Sequence, residues 1–139
     1  MEENSKQLLL KDLCARLPYG VQCCAKNNHK ISGSLVGIIG ENVHIFSSGH
    51  GVFSINVIKP YLFPLSSMTE EQLFEVQEIL GKNEIEIGDG FLSIIDSGRN
   101  TITYLEILAV LEWFYKNHFD VNNLIPMGLA IDATGLNIY

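Results

Sequence analysis

Two adjacent cysteines and four histidines are the side chains best suited to chemistry in this sequence. A nucleophilic site needs a thiol, a base and a carboxylate that orients the base, and Cys23 or Cys24 beside a histidine would begin such a set. No local motif identifies the base or activates the thiol, and free cysteines are commonly small buried hydrophobes. We therefore predict no catalytic residue and no enzymatic activity. An enzyme whose site is assembled from dispersed residues is the third hypothesis.

The same residue types lack the spacing of a metal site. The chain has no Cys-x-x-Cys pair, and its 3 cysteines form an odd set, so neither zinc nor disulfides are expected. His44 and His50 bracket a predicted hairpin, and for them we favour two solvent-facing histidines over a shared ligand. A calcium loop that begins at Asp96 would require glycine and glutamate where the chain has Thr101 and Ile107. We predict no metal and no cofactor.

Composition is that of an ordinary globular domain. The chain has 139 residues, of which 47% are hydrophobic and 18% are charged, and this is enough to form a buried core. Its apolar runs are too short to cross a bilayer, and its N-terminus lacks the cleavage site of a signal peptide. We expect no membrane segment and a cytoplasmic location.

Charge is distributed unevenly along the chain. Residues 1–65 carry 6 basic and 4 acidic side chains, which gives +2, whereas residues 66–139 carry 3 basic and 12 acidic side chains, which gives -9. The formal net charge of -7 argues against general attraction to nucleic-acid phosphates. The first half still supports nucleic-acid binding as the second hypothesis, with phosphate contacts from Lys26, Lys30 and Lys59.

The first half is predicted to form a helix followed by a small sheet. Leucines at helical spacing indicate a helix over about residues 5–17. Short β-prone runs separated by turn residues then predict an antiparallel meander, over residues 21–25, 31–39, 43–47 and 52–58. Gly33 and Gly37 share one face of the second run, which predicts a sharp bend or a close backbone neighbour, as in a small barrel. Prolines predict an extended connector over residues 59–65.

The second half is predicted to contain a helix, a β-hairpin and another helix. Thr69 and Gln72 have the spacing of a capping box at the start of a helix over about residues 70–80. Alternation over residues 84–87 and the turn dipeptide at residues 89–90 predict the hairpin. Thr103 is the predicted cap of the last helix. That helix is apolar around most of its circumference, which predicts a position near the middle of this half.

These elements define the predicted fold class as α+β. An N-terminal helix and a small antiparallel β-barrel-like meander occupy residues 1–65, and an acidic helix, β-hairpin and helix half occupies residues 66–139. The two halves are either separate subdomains or one continuous domain, and charge alone does not distinguish these arrangements.

Two segments resemble a known group of proteins. They are the C-terminal segment Asn117–Ala130, with the preceding Trp113–Lys116, and the segment Lys59–Glu71. Both resemble short uncharacterised proteins of Bacteroides-type gut bacteria and of their phages or mobile elements. Relatives often carry an aromatic residue, arginine and glycine after the aspartate, where this chain has Val-Asn-Asn at residues 121–123. The resemblance implies a phage-linked or mobile-element-linked origin, and no activity or site residue comes with it.

A second resemblance concerns architecture. A helix followed by a bent, glycine-bearing meander over residues 5–58 resembles an Sm-like or SH3-like small barrel. The Asp and Asn pair with which Sm proteins bind uracil has no match around residues 40–42, so uracil binding is not implied.

The leading hypothesis is a non-enzymatic binding or accessory protein in which a groove between the two halves binds a protein partner. The aromatic residues predicted to contact this partner are Tyr61, Phe63, Trp113 and His118, although core packing is expected to occupy most of them. The sequence defines neither the partner nor the oligomeric state.

Overall fold

The computed structural model describes residues 1–25, 28–81, 84–88, 91–96 and 102–139 of the chain, with the side chains of a few strand residues left out. The fold is α+β with an N-terminal helix, as predicted. The helices are α1 (Glu3–Arg16), α2 (Glu70–Ile79) and α3 (Tyr104–Lys116). The strands are β1 (Gln22–Ala25), β2 (Asn28–Ile39), β3 (Asn42–Phe46), β4 (His50–Ser54), β5 (Ile58–Leu62), β6 (Glu84–Gly88), β7 (Phe91–Asp96) and β8 (Ile131–Asp132).

Six of the strands form one mixed sheet with the order β4-β3-β2-β1-β5-β8. The predicted meander is present, since β1 to β4 pair antiparallel in sequence order and β5 pairs antiparallel with β1. Strand β8 pairs parallel with β5. The expected closure into a barrel is not found, because β4 and β8 are the two edges of the sheet and no pairing among the described residues joins them.

Strand β2 has the irregular geometry that its glycines predict. A β-bulge interrupts its pairing with β3 between Leu35 and Gly37. A Cβ atom placed on Gly33 would lie 2.5 Å from the carbonyl oxygen of Phe46. Only glycine permits so close an approach of the β3 backbone, so the sequence signal for a close backbone neighbour is confirmed at Gly33.

The predicted connector over residues 59–65 is wrong in its first part. Ile58–Leu62 is a strand, and Pro60 pairs with Cys23 of β1. On the other side of β5, strand β8 pairs only with Tyr61 and Leu62. Pro60 therefore has a neighbouring strand on one side alone, which is the position where a sheet tolerates a residue without a backbone N–H.

Local signals in the second half correspond to the observed elements. Thr69 accepts a hydrogen bond from the backbone N–H of Gln72, and the Gln72 side chain accepts one from the Thr69 N–H, which completes the capping box of α2. Thr103 caps α3 by accepting from the N–H of Glu106 at 3.2 Å. Strands β6 and β7 form the predicted hairpin, while its turn dipeptide at residues 89–90 and residues 97–101 of the rejected calcium loop lie outside the described residues.

A small apolar cluster contains Cys24, Tyr61 and Ala133, and two larger clusters fill the rest of the interior. One lies between α1 and the six-stranded sheet and includes Leu9, Leu13 and Leu35. The other lies in the second half and includes Val76, Ile85 and Phe114 from α2, β6 and α3. The C-terminal segment returns to the first cluster, because Leu124, Leu129 and Ala130 pack there beside residues of α1 and the sheet. None of the helices in the described ranges is long and apolar enough to span a membrane.

Candidate functional site

Three of the four aromatic residues predicted to contact a partner, Tyr61, Phe63 and Trp113, lie in or against the second-half cluster and the small cluster around Cys24. Phe63 bridges in parallel to Phe119, donating its backbone N–H to the carbonyl of His118 at 2.9 Å. Trp113 stacks on Phe119 with ring centroids 5.7 Å apart. His118 stacks on Tyr139 at 3.8 Å. The structure therefore brings three of the predicted residues, Phe63, Trp113 and His118, around the Phe119 and Tyr139 rings.

Most of the surface of these residues is used within the chain. Tyr61 is buried, and its carbonyl accepts a hydrogen bond of 2.7 Å from the Tyr139 hydroxyl. Trp113 is half-buried and donates its indole N–H to Glu75 of α2 at 2.9 Å. Phe63 and His118 are also half-buried. Their partner-binding role stays a prediction, and only the exposed parts of Phe63, Trp113 and His118 are accessible for it.

A buried ion pair that the sequence analysis missed ties α1 to the C-terminal segment. Arg16 and Asp12 are both 0% exposed, and the Arg16 Nε donates to Asp12 at 2.6 Å. Arg16 also donates to the carbonyl of Phe119 at 2.7 Å, and Asn122 donates its amide to Asp12 at 2.8 Å. The spacing of four residues between Asp12 and Arg16 was visible in the sequence, but their burial was not.

The titratable groups near this pair are shifted toward their neutral forms. Burial, followed by the positive charge of Arg16, lowers the pKa of His118 to about 4. Burial raises the pKa of the Cys23 thiol above its usual range, and burial is also the main cause that raises the pKa of Tyr61 to about 12. A thiol that stays protonated at neutral pH is a poor nucleophile, so the environment of Cys23 does not activate it.

Five large apolar side chains are exposed on α3, the helix that the sequence predicted to lie near the middle of the second half. Tyr104 is 86% exposed, Leu105 is 78% exposed and Leu108 is 60% exposed. Ile107 and Leu111 are exposed as well, whereas Val110 and Phe114 on the opposite side are buried. The predicted position near the middle of the second half therefore holds only for the Val110 and Phe114 side of α3. We call the five residues Tyr104, Leu105, Ile107, Leu108 and Leu111 the α3 surface.

Carboxylates are exposed on α3 and on α2. Glu112 is exposed on α3 and accepts a hydrogen bond of 3.0 Å from the Tyr19 hydroxyl. On helix α2, which packs on the Val110 and Phe114 side of α3, an exposed phenylalanine, Phe74, lies among exposed glutamates. These α2 glutamates are Glu70, Glu71, Glu75 and Glu78. The sequence predicted this solvated acidic row correctly.

The lysines of the nucleic-acid hypothesis are only partly described. Lys30 is exposed on β2 and Lys59 is half-buried on β5, while Lys26 lies outside the described residues. Lys59 pairs with Cys24 of β1, which in turn pairs with Ser32 of β2. Nucleic-acid binding through these lysines stays a prediction, and a steep fall of affinity with rising salt is its expected signature.

Within the described ranges, no three His, Cys, Asp or Glu side chains lie close enough together to hold a metal ion. No protein-family model, curated protein or solved structure matches the chain. The candidate site therefore rests on the geometry of the chain alone, and its clearest feature is the α3 surface.

Proposed function

We propose that this protein is a non-enzymatic binding or accessory protein whose α3 surface binds a partner protein. The exposure of the α3 surface is the observation that supports the proposal. Burying a large apolar side chain is worth about 1.5–3 kcal/mol, and contiguous exposed apolar patches on soluble proteins commonly mark interaction sites. The α3 surface is therefore suited to a contact that removes it from water.

The spacing on α3 suits a helical partner. Tyr104, Leu108 and Leu111 are separated by four and three residues, so they lie along one side of the helix. An amphipathic helix recognised through such a stripe contributes apolar residues at the same spacing. At the C-terminal end the stripe continues to Tyr115, which lies beneath the Arg16 guanidinium at 5.0 Å. The partner's contact accordingly begins near Tyr104 and ends before Tyr115.

Charge defines the chemical class of the partner. The half of the chain that carries α3 has 12 acidic and 3 basic side chains, and the exposed Glu112 lies on α3 itself. A second copy docked through this surface would bring two acidic halves together, which electrostatic repulsion disfavours. A partner helix with an apolar stripe and flanking Lys or Arg residues is attracted instead. We therefore assign the α3 surface to a basic amphipathic segment of another protein.

Substitution on α3 tests this proposal. Affinity enrichment from the native host with the full chain as bait identifies partners, and titration calorimetry then measures the affinity of the purified partner. The double substitution Leu108→Gln and Leu111→Gln is expected to weaken that affinity by roughly tenfold or more, because apolar burial is lost. Stability is expected to change by about 0.5 kcal/mol or less per site, since both side chains are exposed.

The matched control is Ile39→Gln, which changes an exposed apolar residue on the sheet. This control is expected to bind the partner as the unsubstituted chain does. Equal affinity of the α3 variant and the unsubstituted chain would overturn the proposed surface. Equal loss in the Ile39 control would show that the binding is not specific to α3.

Two finer features of the proposal are a likeness to small barrels and a phage-linked or mobile-element-linked origin. The order of strands β1 to β5, the close approach at Gly33 and the single helical turn Ile55–Val57 before β5 support a likeness to small barrels, here with an open sheet. The resemblance of Lys59–Glu71 and Asn117–Ala130 supports a phage-linked or mobile-element-linked origin. An accessory role in such an element is tested by the identity of the neighbouring genes.

A further inference from the structure

Two histidines meet on the outer face of the sheet, far from the α3 surface in sequence. His44 lies on β3, and His50 is the first residue of β4. The register pairs His44 with Val52 and Phe46 with His50, so the two histidines are diagonal neighbours on one face of this strand pair. The Nδ1 of His44 lies 2.9 Å from the Nε2 of His50.

This separation is that of a hydrogen bond between the two rings, and it is also the separation that two ligands of a shared metal ion require. Two imidazole nitrogens at metal bonds of about 2.0–2.1 Å lie about 2.9 Å apart when the bonds meet at a right angle, and about 3.4 Å apart at the tetrahedral angle. The observed N···N distance of 2.9 Å matches the one expected when the two metal bonds meet at a right angle. Right angles between ligands are typical of tetragonal Cu(II) and Ni(II), whereas structural zinc is tetrahedral.

The ring orientation requires only a small adjustment. Imidazoles that share a metal at a right angle have centroids about 4.5 Å apart, and imidazoles in a straight hydrogen bond have centroids about 5.2 Å apart. The centroids of His44 and His50 are 4.9 Å apart, between these values. The observed arrangement is therefore intermediate between a hydrogen-bonded pair and two ligands of one metal ion.

The pair is accessible, and there is space for further ligands. His50 is exposed and His44 is half-buried. Gly37 lies opposite His44 on β2 and has no side chain to cover it. Solvent therefore reaches the pair, and water can complete a coordination sphere that begins with two nitrogens.

We propose that His44 Nδ1 and His50 Nε2 form a two-nitrogen binding site for Cu(II), with water in the remaining positions. This site departs from the sequence-based expectation of no metal, which rested on the absence of a zinc spacing. Copper(II) is the metal of choice because N-donor sites bind it more tightly than the other divalent first-row ions. The bound ion links β3 to the edge strand β4 and thereby stabilises this end of the sheet.

Titration with CuCl₂ tests the site in the full-length chain. The exposed thiol of Cys14 is replaced by serine in every sample, because thiolates also bind copper. Calorimetry in a non-coordinating buffer at about pH 7.5 is expected to give one copper ion per chain. His44→Gln and His50→Gln are each expected to weaken binding by roughly tenfold or more. Nickel and zinc are expected to bind more weakly than copper.

His118→Asn is the control for copper bound elsewhere, because it removes a histidine outside the proposed site. It is expected to keep the copper affinity of the parent chain. A second measurement follows the thermal midpoint, which copper raises in the parent chain and leaves unchanged in the His44→Gln, His50→Gln double variant. The proposal is overturned if the parent chain binds no copper ion at one per chain, or if the double variant binds it as tightly as the parent.

Discussion

Helix α1 and helix α3 have similar lengths, 14 and 13 residues, but they bury their side chains in opposite ways. Helix α1 is rich in polar residues, yet it buries an aspartate and an arginine completely together with Leu9 and Leu13. Helix α3 is rich in apolar residues, yet it exposes five large ones and buries Val110 and Phe114. Helix composition is therefore a poor guide to burial in this protein.

The reason lies in the segments that pack against each helix. One side of α1 faces the six-stranded sheet, and the returning C-terminal segment contributes Phe119 and Asn122 to its polar contacts. Helix α3 packs with α2 and β6 on its Val110 and Phe114 side. A helix is covered only where another segment reaches it, and the acidic second half covers one side of α3. Helix α1 is therefore covered by segments that stabilise the fold, whereas one side of α3 is exposed.

Breaking the buried pair of α1 is expected to have the largest effect on stability. Arg16→Ala leaves the Asp12 carboxylate buried without its charged partner, and removal of one member of a buried pair costs about 3–5 kcal/mol. Urea unfolding followed by circular dichroism measures this loss as a lower transition midpoint.

Lys11→Ala is the control, because Lys11 is exposed on the same helix. It is expected to change the free energy of unfolding by about 0.5 kcal/mol or less. The paired replacement Asp12→Leu with Arg16→Met is expected to be less destabilising than Arg16→Ala, since no charge is left buried. Similar losses of stability in Arg16→Ala and Lys11→Ala would contradict a stabilising role of the buried Asp12–Arg16 pair between α1 and the C-terminal segment.

His118, which follows the C-terminal end of α3, is expected to make the stability of the fold depend on pH, with an effect of intermediate size. The pKa of His118 is lowered from 6.5 to about 4 in the folded chain, so the unfolded chain takes up this proton first as the pH falls. The stability contribution is fully present above pH 6.5 and is lost as the pH falls toward 4. The expected loss over this window is on the order of 2–3 kcal/mol. Urea unfolding at several pH values measures it.

His118→Asn removes the titrating ring while keeping a residue type that tolerates the positive φ of 63° at this position. The variant is expected to show a shallower dependence of stability on pH over the same window, whatever its stability at neutral pH. An unchanged slope would show that other groups cause the acid sensitivity.

Loss of the N-terminal cap of α3 is expected to have the smallest of these effects on stability. Thr103→Ala removes the hydrogen bond to the Glu106 N–H and is expected to cost about 1 kcal/mol. Glu2, at the equivalent position of α1, makes no side-chain capping hydrogen bond, so Glu2→Ala is expected to cost about 0.5 kcal/mol or less. Thermal unfolding of the two variants tests the difference. If both substitutions have the same effect, capping does not distinguish the two helices.

Features that depend on neighbouring residues were readable from the sequence. The capping box of Thr69 and Gln72 was identified by spacing alone, because a helix cap involves residues within one turn. The close approach at Gly33 was predicted because a glycine in a strand commonly permits one. The interpretation of Pro60 was wrong, because a proline shows that a backbone N–H is missing but does not show whether a neighbouring strand lies opposite that position.

The candidate site was less accessible to sequence reasoning. The partner contacts assigned to Tyr61, Phe63, Trp113 and His118 stay a prediction, and the stacking of Trp113 on Phe119 depends on which rings meet in the fold. His44 and His50 were read as separate solvent-facing residues, because their contact depends on the register of β3 against β4. Spacing alone also gave no sign that the apolar side of α3 at Leu108 faces away from the core.

The sequence by itself determined the α+β class, most element positions, the caps of α2 and α3 and the acidity of the second half, because each depends on local patterns or on composition. Only the tertiary structure decided that the sheet is open, that Arg16 is buried against Phe119, and that the α3 surface is exposed. These features depend on contacts between segments far apart in the chain. Burial of a side chain is a property of the segment that covers it, and periodicity within its own helix does not contain that information.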